Sequence, residues 1–257
     1  MRSIASTESS TIEVKRADGT GRRRNYFGRS GQIEPDAQAF LVELPYAGAR
    51  VNPHFHDIDQ FQVVVAGGGR IGKRPLGPIT FQYADAYTPY GPIVAGDEGI
   101  SFFTLRNIAS GGHFSMPGSR HLMPCRAGRN IAARFELGAI DTQVRREILL
   151  GDQADGVGAV GLRIPAGQSA PGMVSDGGGQ YYLVCAGALH EGERLLGANS
   201  VLRVEPGEPT PLLQAGPDGA EVLGLQFGRP SARPGSDPAE LARRSPDSYV
   251  QKTERRD

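Results

Sequence analysis

The chain has 257 residues, with 28 Lys plus Arg against 28 Asp plus Glu, so its formal net charge is zero. A neutral chain has no overall field that attracts nucleic acid or an anionic membrane, and we expect neither as a partner. Two cysteines, Cys125 and Cys185, are too few for a disulfide framework, and no apolar stretch reaches the length of a membrane span or a signal region. We therefore expect a cytoplasmic protein with free thiols.

The predicted elements are mostly short strands. The 36 glycines and 19 prolines fall between short apolar runs, which is typical of strands joined by tight turns. The N-terminal residues are expected to form an arm that packs on the core or frays, with the basic run Arg22–Arg24 in a solvated segment. A short C-terminal helix is expected after Asp237, a cap residue followed by proline, whereas 130–136 and 144–150 fit a strand or a helix equally well. The strand candidates are Phe40–Leu44, Phe61–Val65, Ile100–Leu105, Tyr181–Cys185 and Val222–Phe227.

The sequence repeats itself at an offset of 120 residues. Gln60–Gly67 aligns with Gln180–Gly187, with glutamine, alanine and glycine at matching positions, and the same offset pairs Ala95–Gly99 with Ala215–Gly219 without a gap. Such a repeat predicts one structural unit used twice. The predicted parts are an N-terminal arm (1–30), a first lobe (31–106), an inter-lobe connection (107–150), a second lobe (151–228) and a C-terminal arm (229–257).

Alternation along the repeated strand separates two faces. Gln60, Gln62 and Val64 share one face, and its polar atoms favour the interior of a ligand-binding barrel. The opposite face is apolar in both copies, and we expect sheet from the other lobe or from a second subunit to cover it, because soluble proteins rarely expose such patches. The residues of this apolar face are Phe61, Val63, Val65, Tyr181, Leu183 and Cys185.

Two histidines of the first lobe are spaced for joint chemistry. His54 and His56 lie on the same side of an extended chain, an arrangement by which a β-scaffold presents two nitrogen ligands to one metal ion. Gln60 follows after three residues and returns a side-chain oxygen from the next strand. Glycines flank the set, giving the string Gly48-x5-His54-x-His56-x3-Gln60-x6-Gly67.

This string resembles the first motif of the cupin family, with glutamine at the usual acidic position. The second cupin motif, a Pro-x-Gly followed by a third histidine, is matched by Pro89 and Gly91, but Val94 occupies the histidine position. Because both repeats are covered, the chain resembles a bicupin. The resemblance implies an all-β fold of two tandem jelly-roll β-barrels with short N- and C-terminal arms, a homodimer, and a divalent transition metal (Fe, Mn, Ni or Zn) in the first barrel.

The resemblance implies a metal site made of His54, His56 and Gln60. The substrate-binding candidates around it are Gln62, Tyr87, Tyr90 and Arg106, although Arg106, like Arg70, lies near a strand end where a solvated or interlobe role is favoured. His113 and His121 lie in the loop that follows and are expected at the surface, within reach of the barrel mouth. In the second lobe the ligand registers hold no histidine: they are Val174, Asp176, Gln180 and Gln214.

Two functions are compatible with these residues. In the first, the protein is a metal-dependent oxygenase, isomerase or lyase that acts on a small oxygenated molecule, such as a hydroxy-acid, an enol or a sugar acid. In the second, it is a metal-free cupin that binds a small molecule, with His54 or His56 available for acid–base chemistry. The fold alone does not choose between them.

Overall fold

The computed structural model describes residues 1–151 and 153–248, in which regular structure is almost entirely β-strand. The described helices are the four-residue α1 (Pro238–Leu241) and the 3-10 turns Ser6–Glu8, Arg120–Leu122 and Pro246–Ser248. None of them has the length and apolar character that a membrane span requires. The described strands, in chain order, are β1 Arg2–Ile4, β2 Ser10–Arg16, β3 Gly19–Phe27, β4 Gln38–Leu44, β5 Arg50–Val51, β6 His54–Phe55, β7 Gln60–Ile71, β8 Arg74–Leu76, β9 Thr80–Ala84, β10 Ile93–Arg106, β11 Phe114–Ser115, β12 Asn130–Arg134, β13 Arg145–Leu150, β14 Gly158–Ile164, β15 Ser169–Pro171, β16 Gln180–Glu191, β17 Arg194–Gly197, β18 Val201–Val204 and β19 Leu212–Gln226.

The chain divides into two compact units, each with its own large antiparallel sheet. The first unit comprises 10–132 with 230–248, and its sheet has the order β12-β9-β7-β10-β4-β3-β2. The second unit comprises 1–9 with the described part of 133–229, and its sheet has the order β1-β18-β16-β19-β14-β13. A two-stranded sheet of β6 and β11 belongs to the first unit. The all-β prediction is confirmed.

The backbone follows the sequence repeat closely. Strand β4 matches β14, and β7 matches β16, residue for residue at the predicted offset. Gly67 and Gly187 are in the left-handed region, with φ of 63° and 67°. Gly99 and Gly219 share it as well, with φ of 77° and 79°. Equivalent glycines therefore turn the chain at equivalent points of both sheets.

The segments outside the repeat contribute more structure than expected. Residues 1–30, predicted to form an arm, instead supply β1, β2 and β3 to the two sheets. The ambiguous segments 130–136 and 144–150 contain strands β12 and β13. The predicted C-terminal helix is confirmed as α1, where the Asp237 side chain accepts a hydrogen bond from Ala239 N. The rest of the predicted C-terminal arm, 249–257, lies outside the described residues.

The two faces of the repeated strand differ, but the polar interior expected for the inward face is found only in the first unit. Gln62 and Val64 line interior cavities of the first unit. In the second unit, Tyr182 and Val184 at the matching positions are part of an apolar core cluster. On the opposite face Phe61, Val63, Tyr181 and Leu183 are fully buried, whereas Val65 and Cys185 keep some exposure.

Candidate functional site

The backbone fixes the orientation of the two predicted histidines. His54 pairs with Tyr90 through two backbone hydrogen bonds of 3.1 and 3.0 Å, and β6 pairs with β11. The Nδ1 atom of His54 lies 2.7 Å from Asn52 O, and that of His56 lies 2.5 Å from Gly112 O. Because a carbonyl oxygen only accepts, each Nδ1 carries the proton and each Nε2 is left as the acceptor nitrogen.

A third histidine, His113, joins this pair. Its ring stacks on His54 with centroids 3.9 Å apart and an interplanar angle of 19°, and it lies 5.7 Å from the ring of His56. The β6–β11 pairing causes this placement, because His113 directly precedes β11. His121, by contrast, is exposed and does not line the site. Both histidines were expected at the surface. Loop residues lack the regular spacing of a strand or helix, so the sequence does not indicate which side chains they contact.

Gln60 is bonded to a cationic side chain. Its Oε1 accepts from Arg106 Nε and Nη2 at 3.1 and 3.0 Å, and its Nε2 donates to the hydroxyl of Tyr90. Arg106 also donates to Gln38 Oε1 at 2.7 Å and is 5% exposed. The solvated or interlobe role favoured for Arg106 is therefore wrong, because its guanidinium lies inside the first unit.

The predicted ligands do not fit a metal ion in this arrangement. The oxygen that Gln60 would offer to a cation faces a guanidinium that is already positive. His113 does not supply a further ligand, because its in-plane lone pairs run beside those of the stacked His54 ring and do not converge with them on one ion. Among the described residues, no group of three or more His, Cys, Asp or Glu side chains is arranged to hold a metal.

Arg106 lines a cavity of about 90 Å³. The cavity is large enough to hold several waters or one small molecule. The guanidinium carbons of Arg106 and Arg23 lie 5.6 and 5.9 Å from the centroid of the Phe40 ring. None of the lining residues is acidic. The polar members of the lining are Arg16, Arg23, Ser30, Gln38, His54, His56, Gln62, Thr104, Arg106, Ser110 and His113.

The predicted substrate-binding residues are only partly at this cavity. Gln62 and Arg106 line it. Tyr90 is buried behind it, with its ring 4.6 Å from that of His54. Tyr87 is not a lining residue, and its ring lies 5.9 Å from that of Phe55. Neither tyrosine lines the cavity.

Sequence reasoning missed Arg16 and Arg23, which both line the cavity. They lie on β2 and β3, and β3 pairs with β4, whose Phe40 lines the same cavity. Alternation in a strand would send Arg23 to the face opposite Arg22 and Arg24. That signal is invisible as long as the segment is taken for a solvated arm.

The charges of the site act on its titratable groups. Burial is the largest effect on His56, and with Arg106 and the neighbouring imidazoles it holds the pKa of His56 well below its usual value. Burial also raises the pKa of the Tyr90 phenol to about 12. Both groups are therefore neutral near pH 7, and Arg106 supplies fixed positive charge.

The equivalent position in the second unit is filled by the protein itself. Gln180 Nε2 donates to Gln226 Oε1 at 2.7 Å, and Gln180 Oε1 accepts from the Tyr182 hydroxyl at 2.6 Å. Asp176 Oδ1 accepts from Gln226 Nε2 at 2.8 Å. Val174 and Gln214, the other two registers, have exposed side chains. These four positions do not converge on a common centre.

Comparison with known proteins gives likeness in structure only. No protein-family model matches the chain, and no curated protein does. A candidate dioxygenase from Nostoc punctiforme is similar over 91% of this chain and 85% of that chain, with a TM-score of 0.60 and 14% identity. Bacillus subtilis oxalate decarboxylase, studied for its Mn(II) centres, is similar over 90% and 78%, with a TM-score of 0.57 and 11% identity.

A third neighbour is a bacterial pirin from Escherichia coli in complex with nickel(II). It is similar over 89% of this chain and 99% of that chain, with a TM-score of 0.55 and 13% identity. These neighbours are cupins. The chain has the bicupin fold. The all-β fold of two cupin-type units, expected from the motifs and the repeat, is confirmed. The neighbours include metal-binding proteins, whereas Arg106 gives the first barrel of this chain a cationic interior.

Proposed function

We propose that the first barrel binds a small organic acid of the hydroxy-acid, enol or sugar-acid type, without a metal ion. The observation that supports this proposal most is the position of Arg106, buried inside the barrel and lining a cavity that has no acidic side chain. A guanidinium binds a carboxylate through two parallel hydrogen bonds, and its charge is weakly screened in a buried site. Arg23 adds a second positive group beside the same Phe40 ring.

The histidines supply the acid–base part of this proposal. With Nδ1 of His56 donating to Gly112 O, Nε2 is the acceptor nitrogen of a cavity-lining side chain. His54 has the same tautomer through Asn52 O. A base next to a bound carboxylate could take the proton from the carbon or hydroxyl beside it, which is the first step of an isomerisation or an elimination. Gln62, hydrogen-bonded to Gln82, would orient the hydroxyl groups of the ligand.

Calorimetric titration of a small-acid panel tests the proposal. We expect L-malate, D-glucuronate or pyruvate to bind, and D-glucose and glycerol not to bind. Arg106→Gln should weaken acid binding about 10- to 150-fold, because a charge-assisted hydrogen bond contributes about 1.5–3 kcal/mol. The matched control is Arg70→Gln, since Arg70 is an exposed arginine of the first unit outside the cavity lining. Equal acid affinity in both variants, or equal binding of glucose, would exclude this function.

The metal-dependent function is the second candidate, and one observation favours it. Both imidazoles are held at Nδ1 by backbone carbonyls, as metal-binding histidines commonly are. Elemental analysis after chelator-free purification with added iron, manganese, nickel or zinc decides between the two. Retention of about one ion per chain that is lost in His54→Ala would support the metal-dependent function instead. Our proposal expects no stoichiometric metal.

A further inference from the structure

Residues 230–248 belong to the first unit and hold the loops on which its site is built. Arg233 Nη2 lies 2.6 Å from Asp59 Oδ2 and 3.3 Å from Asp85 Oδ1. Arg244 Nη1 lies 2.8 Å from Asp57 Oδ2. Two of these carboxylates, those of Asp57 and Asp59, belong to the short segment of sequence that links His56 to β7. The segment therefore forms ion pairs directly beside the cavity-lining histidine.

The fit between this segment and the loops is close. A Cβ atom at Gly111 would lie 2.4 Å from Asp57 Oδ2 and 2.6 Å from Arg244 Nη1. A Cβ atom at Gly235, whose φ is +78°, would lie 2.4 Å from Asp57 O. On the same segment Leu241 packs in an apolar cluster with Ile58 and Ile108. The contact thus combines charge, backbone approach and apolar burial.

Hydrogen bonds through the loop Ser110–Gly112 connect Asp57 to His56. The Oδ1 atom of Asp57 accepts from Ser110 Oγ and from Gly111 N, both at 2.9 Å. With its one hydrogen donated to Asp57, Ser110 Oγ lies 2.8 Å from Gly112 O and 3.1 Å from His56 Nδ1. The loop Ser110–Gly112 is therefore held between Asp57 and the imidazole. Its last carbonyl is the one that keeps the proton of His56 on Nδ1.

We propose that residues 230–248 are a positioning element of the first-barrel site, and that Arg244 acts through Asp57 and the Ser110–Gly112 loop to hold the tautomer and orientation of His56. Without Arg244 the buried carboxylate of Asp57 lacks its cationic partner. It would then turn toward water and release Ser110 and Gly111. The Gly112 carbonyl would no longer be fixed opposite Nδ1, and both neutral tautomers of His56 would be populated. Arg244 is a positioning residue, since it does not line the cavity and acts through its ion pair with Asp57.

Two-bond ¹⁵N–¹H correlation spectra of the histidine side chains test this inference on the full chain, with His56→Gln to assign the signal. We expect wild-type His56 to show the proton on Nδ1, and Arg244→Ala to show a mixture of tautomers. Arg244→Lys should retain the wild-type signal, and so should the control Arg243→Ala, whose exposed arginine is adjacent in sequence. A purely structural role would lower the melting temperature of Arg244→Ala and leave the His56 signal unchanged, which would overturn the inference.

Two further measurements complete the test. Should Arg244→Ala give no folded spectrum, Arg244→Gln keeps the stem of the side chain and is judged by the same His56 signal. The second readout rests on the proposed function: Arg244→Ala should bind L-malate about tenfold more weakly than Arg243→Ala. If no small acid binds the wild-type protein, the proposed function fails, while the tautomer measurement still decides whether Arg244 positions His56.

Discussion

One side chain distinguishes the interiors of the two barrels. Arg106 ends β10 and Gln226 ends β19, at matching positions of the repeat. In the first barrel Gln60 accepts two hydrogen bonds from Arg106, whereas in the second Gln180 donates one to Gln226. The repeated glutamine is thus the acceptor in the first barrel and the donor in the second, where a neutral glutamine replaces the charged arginine. The first barrel has a cation where the second has a neutral amide pair.

Tyr182 in the second barrel carries a pH-dependent part of the stability. Burial raises the pKa of its phenol to about 12, from 10.0. Between these values tyrosine ionises in the unfolded chain and not in the folded one, so the unfolded state binds fewer protons and stability falls as the pH rises. Two pKa units correspond to about 2.7 kcal/mol. This loss begins near pH 10 and is complete near pH 12.

The variant Tyr182→Phe separates this effect from hydrogen bonding. At pH 8 it should unfold about 1–3 kcal/mol more easily, because Met173 N and Gln180 Oε1 lose the hydroxyl that lies 2.7 and 2.6 Å away. At higher pH only the wild type can ionise a phenol at position 182. The difference in free energy of unfolding between wild type and variant should therefore narrow between pH 10 and pH 12. Urea unfolding at pH 8, 10 and 11.5 measures it. A constant difference would contradict the raised pKa.

At the scale of the elements, paired glycines fix the bend of the long strands. A Cβ atom at Gly67 would lie 2.2 Å from Gly99 O, and one at Gly187 would lie 2.1 Å from Gly219 O. Both glycines also have positive φ, which an alanine adopts only with strain. Gly77 and Gly197 are equivalent to one another as well, but a Cβ atom there would meet no atom within 4 Å.

These glycines give a matched test of the repeat. Gly67→Ala and Gly187→Ala should each lower the free energy of unfolding by about 1–3 kcal/mol through backbone strain. The overlap of the new Cβ atom with a carbonyl oxygen should lower it further. Gly77→Ala and Gly197→Ala should change it by less than about 1 kcal/mol. Differential scanning calorimetry of the four variants measures both pairs. If one member of an equivalent pair, such as Gly67→Ala and Gly187→Ala, were destabilised and the other were not, the two units would not share their strand geometry.

The sequence predicted the long strands inside the repeat and the short helix α1, but not the strands that lie before the repeat. The offset between Gln60 and Gln180 carries over to the strands because a preserved register preserves the face of every side chain. His113 escaped prediction because its place depends on a loop strand, β11, of two residues. Arg23 escaped because β2 and β3 lie before the repeat, where no second copy indicated strand structure. Arg106 was found as a candidate, yet its burial depends on hydrogen bonds to Gln38 and Gln60 that spacing does not reveal.

At the scale of the whole molecule, one sheet pattern has been used for two kinds of interior. The first barrel keeps polar side chains around a cavity, and the second fills its interior with an apolar cluster that includes Leu162, Tyr182 and Val222. Fold therefore does not determine which barrel has a polar cavity. The difference lies in the residues that point inward from the same strands.

This asymmetry predicts the outcome of moving the arginine. Gln226→Arg places a guanidinium in the second barrel at the position of Arg106, and we expect it to create no acid-binding site. Asp176 Oδ1 already lies 2.8 Å from the Gln226 amide and would pair with the new cation, and the Gln226 side chain is already buried, which leaves a longer side chain little room. Calorimetric titration of Arg106→Gln/Gln226→Arg with L-malate should show no binding, and Gln226→Arg alone should keep wild-type affinity with reduced thermal stability. Recovery of malate binding by the double variant would mean that the arginine alone defines the site and that the cavity, Gln62 and the histidines of the first barrel contribute nothing.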